Sequence, residues 1–234
     1  SSSSHGNLDD PQNYLHIRRR QLVDDDGLLE VIDLTSFISR HLELELAIQY
    51  ACDFADIFEV RGAVRERRGE HLPPLVHDDG VDLRYAGRDG HEYVSRLRFS
   101  PRPASVNAGE AIFRVAIDPR ETRTIEIAIA PGNRPVRELA RRSFPGEART
   151  KLDELAAYRA ASTRFDCDDP TLQAALERAT TDLHDLRWHE GDDSIVAAGI
   201  PWFCAPFGRD ALITSYETLL LNPSIAASSL TMLA

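Results

Sequence analysis

The chain has 234 residues, 42% of them hydrophobic, enough to pack one large domain or two ordinary ones. A formal net charge of −11 and a pI near 5.2 argue against nucleic acid or an anionic membrane as partner, because their phosphates would be repelled; neutral carbohydrate stays compatible. No apolar run of about 18 residues and no secretory pattern is present, so neither a membrane span nor a signal peptide is read.

In chain order, residues 1–12, opening Ser1-Ser2-Ser3-Ser4-His5-Gly6, read as a frayed tail or cloning remnant outside the fold. Strands are predicted over Tyr14 to Val23 and Leu28 to Thr35, separated by the acidic turn Asp24-Asp25-Asp26-Gly27. Arg18-Arg19-Arg20 splits across both faces of the first strand and reads as a solvated basic patch. Leu42, Leu44, Leu46 and Ile48 alternate with Glu43 and Glu45, the period of a half-buried strand. Asp53, Asp56 and Glu59 follow at spacings of three, which match no calcium loop, and the segment lacks that loop's glycine. The expectation there is a bend anchored by Phe54, Ile57 and Phe58, with Arg61 paired to one of the acids.

Further alternation marks strands at Val81-Leu83-Tyr85, Tyr93 to Phe99, Phe113-Val115-Ile117 and Ile125-Ile127-Ile129, each bounded by Gly, Pro, Asp or Asn. Seven or so strands between turn signals predict an antiparallel β-sandwich over residues 13–135. The period then becomes helical. A linker helix is predicted from about Glu147 to Ser162, with Leu152, Leu155 and Ala156 on one face, inside a connecting segment 136–168. A second helix is predicted with Asp169 as its cap and Pro170 at its first position. Its stripe would be Leu172, Ala175, Leu176, Ala179, Leu183 and Leu186. A Gly- and Asp-rich loop is expected around Glu190 to Ser194, a helix from about Asp210 to Leu221, and another from about Ser224 beyond Asn222-Pro223.

Between that loop and the helix at Asp210 stands the stretch that carries the functional reading, Gly199-Ile-Pro-Trp-Phe-Cys-Ala-Pro-Phe-Gly-Arg-Asp210. Pro201 and Pro206 fix φ and remove two donors, so this is a stiff loop that presents its aromatics. Trp202, Phe203 and Phe207 offer apolar faces on which the C–H face of a sugar ring can rest. Arg209 supplies a fork of donors and Asp210 two acceptor oxygens, a set suited to a polyhydroxylated ligand. The competing reading makes Asp210 a favourable charge at a helix start and nothing more. Glu190, Asp192 and Asp193 read as solvated turn residues or secondary sugar contacts, and Glu217 as an exposed helix glutamate. Cys52, Cys167 and Cys204 include no Cys-x-x-Cys pair and fit free thiols in a reducing, cytoplasmic setting. The histidines form no ligand spacing, so neither a metal nor another cofactor is expected.

The segments Asp53-Phe-Ala-Asp-Ile-Phe-Glu-Val-Arg-Gly62 and Ala198-Gly-Ile-Pro-Trp-Phe203, with Phe207-Gly-Arg-Asp210, resemble bacterial glycogen-debranching enzymes of the amylo-alpha-1,6-glucosidase type, over nearly the whole chain from Tyr14. The resemblance implies an N-terminal β-sandwich followed by the first helices of an incomplete (α/α)6 barrel, a six-hairpin glycosidase catalytic domain beginning near residue 169. It implies a hydrolase of carbohydrate metabolism, acting on α-glucosidic linkages of glycogen-like α-glucans or their oligosaccharides. The mechanism would be inverting and use two carboxylates. Phe-Gly-Arg-Asp also resembles the Thr-Arg-Asp element of glucoamylases, which makes Arg209 and Asp210 glucose-binding residues. Cys204 departs from the small residue common at its position. The chain is read as stopping inside the helical part, with the catalytic carboxylates beyond Ala234, and is expected to be inactive alone. The alternative of another class is a non-catalytic carbohydrate-binding or interaction β-sandwich.

Overall fold

The computed structural model describes residues 14–132, 134–191 and 193–234; the predicted N-terminal tail lies outside the described residues. The chain divides into two compact units, Ser1–Glu147 and Ala148–Ala234.

The first unit is an antiparallel β-sandwich. Strands β1 (Leu15–Asp24), β2 (Gly27–Ser36), β3 (Leu42–Gln49), β4 (Glu70–His77), β5 (Gly80–Ala86), β6 (Glu92–Ser100), β7 (Ser105–Val106), β8 (Glu110–Ile117) and β9 (Thr122–Pro131) form two sheets. The larger runs β1-β2-β9-β6-β5-β4 and the smaller β3-β8-β7. Their inner faces meet in one core: Ile32, Leu34, Val81, Leu97, Phe99, Ile125 and Ile127 of the larger sheet against Ala111, Phe113 and Ile117 of the smaller. In β3 the period-two reading holds residue by residue, with Leu42, Leu44, Leu46 and Ile48 half-buried and their neighbours exposed. The acidic turn closes the β1–β2 hairpin, where Asp24 Oδ1 accepts from the backbone of Asp26 and Gly27. Arg142 pairs with Asp24 and Asp26, tying this turn to the segment after helix α2 (Val136–Leu139).

Two strands go beyond the sequence reading. β4 was hidden by Pro73-Pro74, which sit at a register shift between Leu72 and Leu75 on an edge strand, the place where a sheet tolerates proline. β7 is two residues long, too short for any period. The segment after β3 is a single helical turn, α1 (Ile57–Val60), capped by Asp56, whose carboxylate accepts from Phe58 and Glu59 while Glu59 bonds back to the Asp56 amide. Phe54 anchors this bend, stacked on Tyr85 at 5.2 Å; Phe58, expected as a second anchor, is instead 52% exposed. Asp56 pairs with Arg65, and Glu59 with Arg68 at 2.9 Å.

The second unit holds most of α3 (Phe144–Ala161), then α4 (Pro170–Asp185), a hairpin of β10 (Arg187–Glu190) and β11 (Asp193–Val196), α5 (Gly208–Glu217) and α6 (Pro223–Leu233). Asp169 caps α4 through Thr171 and Leu172 with Pro170 in the first turn, and Asn222 caps α6. The hairpin corrects the expected loop at Glu190 to Ser194: Glu190 ends β10 and Asp193 and Ser194 open β11, and Asp192 lies outside the described residues. Two predicted faces also need correcting. On α3, Leu155 is half-buried but Leu152 is 63% exposed and Ala156 exposed, and full burial falls on Phe144 and Tyr158 instead. On α4, Leu172, Ala175 and Ala179 are exposed, while Leu183 and Leu186 pack against the small core of Tyr158, Val196 and Ile225. Among the described residues no helix is long and apolar enough to cross a membrane, and no cluster of three or more His, Cys, Asp or Glu is arranged to hold a metal ion.

Candidate functional site

The loop between β11 and α5 is built from its proline and aromatic content. β11 is anchored at its end, with Ile195 and Val196 buried and the Ala197 amide donating to the Leu186 carbonyl at 2.9 Å. Ser194 N donates to Ser228 Oγ at 2.6 Å, and Ser228 Oγ to Asp193 Oδ1 at 3.3 Å, fastening the hairpin to α6. Asp193 therefore serves the fold, whereas Glu190 stays exposed at the end of β10.

From this support the chain turns through Ile200-Pro201, a cis bond, and Phe203, whose φ of 62° is in the left-handed region. A phenylalanine there costs on the order of 1–3 kcal/mol, a local cost that clusters at ligand-contacting segments. The Ala205 amide closes the turn on the Phe203 carbonyl at 2.8 Å. The result is a series of rings: Trp202 meets Phe203 edge-on at 5.4 Å, and Phe203 meets Phe207 edge-on at 5.5 Å. Phe203 is 54% and Phe207 39% exposed, so these two rings are presented to solvent, while Trp202 is half-buried.

The series leads directly into the charged pair. Phe207 is the N-cap of α5 and offers no side-chain cap, and Asp210 occupies the first turn. α5 thus starts two residues before its predicted position and ends at Glu217, which is exposed. Arg209 Nη2 lies 3.6 Å from Asp210 Oδ2, with the Arg209 side chain 84% exposed. An exposed pair at this separation is weakly bound, so both groups keep most of their hydrogen-bonding capacity for another molecule. Asp210 also takes the place that suits a helix dipole, so its two readings coincide at one position. The structure brings Trp202, Phe203 and Phe207 into one series of contacting rings, and places Arg209 and Asp210 immediately after it in the first turn of α5.

Sequence reasoning missed one further candidate. Trp188 on β10 is 43% exposed one residue from His189, in a run without alternation that gave no signal. Cys204 is the exposed cysteine of the three, inside the loop itself. Among the described residues, concave surfaces are lined by other parts of the chain, two of them notable here. One, of about 530 Å³, is lined by Arg159, Thr163, Arg164, Phe165 and Gln173 beside α3 and α4. The other, of about 440 Å³, lies beside α1 in the first unit.

A family described as the N-terminal domain of (some) glycogen debranching enzymes matches residues 2–128, which takes in most of the segment set aside as a tail. No curated protein matches the chain. Among solved structures, one titled "Putative kojibiose phosphorylase from human microbiome" is similar at 13% identity with a TM-score of 0.40, over 74% of this chain and 22% of its own length. The chain thus spans about a fifth of that structure. With more than half of its length matched, most of the sandwich included, the chain belongs to the family of N-terminal domains of glycogen debranching enzymes.

Proposed function

We propose that this chain is part of a glycoside hydrolase of the glycogen-debranching type, acting on α-glucosidic linkages of glycogen-like α-glucans in the cytoplasm. The observation that carries this reading is the run of rings Trp202, Phe203 and Phe207, the last two exposed, leading in sequence to the weakly engaged Arg209–Asp210 pair. Rings supply apolar faces, and a carboxylate beside a guanidinium supplies acceptors and donors within reach of neighbouring hydroxyls. The family to which the chain belongs, named for debranching enzymes, supports the same substrate class.

In this reading residues 13–135 form the N-terminal sandwich domain, 136–168 the linker, and 169–234 the beginning of an (α/α)6 catalytic barrel. Arg209 and Asp210 hold the terminal glucose, and the catalytic acid and base lie outside this chain. The mechanism is inverting: one carboxylic acid protonates the leaving oxygen while a second carboxylate activates water on the opposite face of the ring.

The test is to express the protein from its full reading frame, incubate it with glycogen limit dextrin, and follow the released glucose by proton NMR. Early β-anomer is the expected result. Early α-anomer overturns the inverting mechanism. Saturable glucan binding without glucose release replaces the hydrolase with a non-catalytic carbohydrate-binding protein.

A further inference from the structure

In an acidic chain, one cleft carries an excess of cations. The cleft of about 440 Å³ beside α1 lies between the α1–β4 connection and the β5–β6 turn. Arg65, Arg67, Arg68 and Arg88 line it against three acids, Asp56, Glu59 and Asp89.

Two of these arginines are already neutralised. Arg65 pairs with Asp56; Arg68 pairs with Glu59 at 2.9 Å and donates to the Asp53 carbonyl at 2.6 Å. The remaining acid, Asp89, has both oxygens engaged, accepting from the His91 amide at 3.1 Å and the Tyr93 hydroxyl at 2.5 Å. Arg67 and Arg88 make no hydrogen bond or ion pair among the described residues, so two guanidiniums with open donor forks line one concavity. Like charges on one cleft repel, and an anion placed between them removes that repulsion while accepting from both.

The walls select the kind of anion. Phe54 and Tyr85 stack at 5.2 Å, and the Tyr85 hydroxyl accepts from the Gly69 amide at 2.6 Å. Tyr93 is 46% exposed, yet its ring lies so close over Gly87 that a Cβ there would sit 2.7 Å from Cε2. Its hydroxyl is held by Asp89, so the ring is positioned before a ligand arrives, which lowers the entropy lost on binding. A forked guanidinium pair matches phosphoryl oxygens, and an ordered ring offers a face to an attached sugar.

We propose that this cleft binds a phosphoryl group, free as orthophosphate or carried on a hexose, with Arg67 and Arg88 on its oxygens and Tyr93 against the sugar. The cleft belongs to the sandwich unit and does not depend on the reading of the loop at residues 199–210.

The test is calorimetric titration of the 234-residue chain with orthophosphate, glucose and glucose 6-phosphate at one ionic strength. Both phosphorylated ligands are expected to bind and glucose is not. Arg67→Ala and Arg88→Ala should each weaken phosphate binding about tenfold or more, the size of a lost charged hydrogen bond. Asp89→Asn should tighten it severalfold by removing a facing negative charge, a gain that misfolding cannot produce. Tyr93→Ala separates the two sources: weaker binding of the hexose phosphate with orthophosphate unchanged supports the carried form, and no effect on either supports the free one. The proposal is overturned if neither phosphorylated ligand saturates the chain, or if affinity ignores the loss of both arginines.

Discussion

The ring of Phe203 meets that of Phe207 at 5.5 Å and 80°, while its own backbone is held at a φ of 62°. The contact is worth about 0.5–1.5 kcal/mol beyond burial and the backbone conformation costs about 1–3 kcal/mol, so the two largely offset each other. Phe203→Asn, which tolerates the left-handed region, should therefore leave the denaturant midpoint almost unchanged while weakening maltooligosaccharide binding. A stability loss above about 3 kcal/mol would show that the ring is core rather than binding surface.

Asp210 is expected to accept hydroxyls rather than transfer protons. In the complete protein Asp210→Asn should lower kcat/KM by about one to two powers of ten, the cost of about 1.5–3 kcal/mol for a charged hydrogen bond. Both limbs of the pH–rate profile should persist. Disappearance of one limb would make Asp210 the acid or base itself.

Cys204 reports on the same surface. It is exposed where Cys52 and Cys167 are half-buried, so iodoacetamide should label it first in the folded chain. Saturating maltooligosaccharide should slow that labelling severalfold. An unchanged rate, measured by mass spectrometry of the Cys204 peptide, would place the ligand elsewhere.

Gly27 closes the first hairpin at a φ of 148°, and a Cβ there would meet the Ile129 carbonyl oxygen at 2.1 Å. Neither backbone can yield without breaking the β2–β9 pairing that carries the core. Gly27→Ala should destabilise the sandwich by about 2–4 kcal/mol, read from chemical denaturation. A change under about 1 kcal/mol would mean the turn relaxes freely.

His41 Nδ1 lies 2.7 Å from Asp118 Oδ1, and this hydrogen bond, more than the surrounding carboxylates, raises the imidazole above its ordinary range. With the folded value above the unfolded one, the contribution is complete below the unfolded pKa and disappears as pH rises through the folded one. NMR titration should show His41 protonating above ordinary histidine, and Asp118→Asn should return it. The same midpoint in both proteins would remove the contact from solution.

The sandwich was legible where burial alternates. β3 reads directly because Glu43 and Glu45 face water between half-buried leucines. β4 was not, because Pro73-Pro74 erase the strand signal and only pairing with β5 restores it. On α3, good helix formers predict the helix, yet Leu152 gives no information on which face is covered: burial is decided by Tyr158, packed among Val196 and Ile225 from distant parts of the unit. In the site, Arg209, Asp210 and the prolines announced a presented loop, since proline acts on its own backbone. The basic cleft stayed hidden because Arg67 and Arg88 come together only through the β5–β6 turn.

The margins of the larger sheet carry one more consequence. β1 and β4 are its outermost strands, and each would offer an open ladder to a neighbouring molecule. β4 interrupts that ladder with Pro73-Pro74 and a slip in register, whereas on β1 the expected solvated basic patch is partly compensated, because Arg19 pairs with Glu30 and Arg20 with Asp33 of β2. Addition of a strand from another molecule is thereby discouraged along β4, where the proline pair withholds two backbone donors from any new ladder.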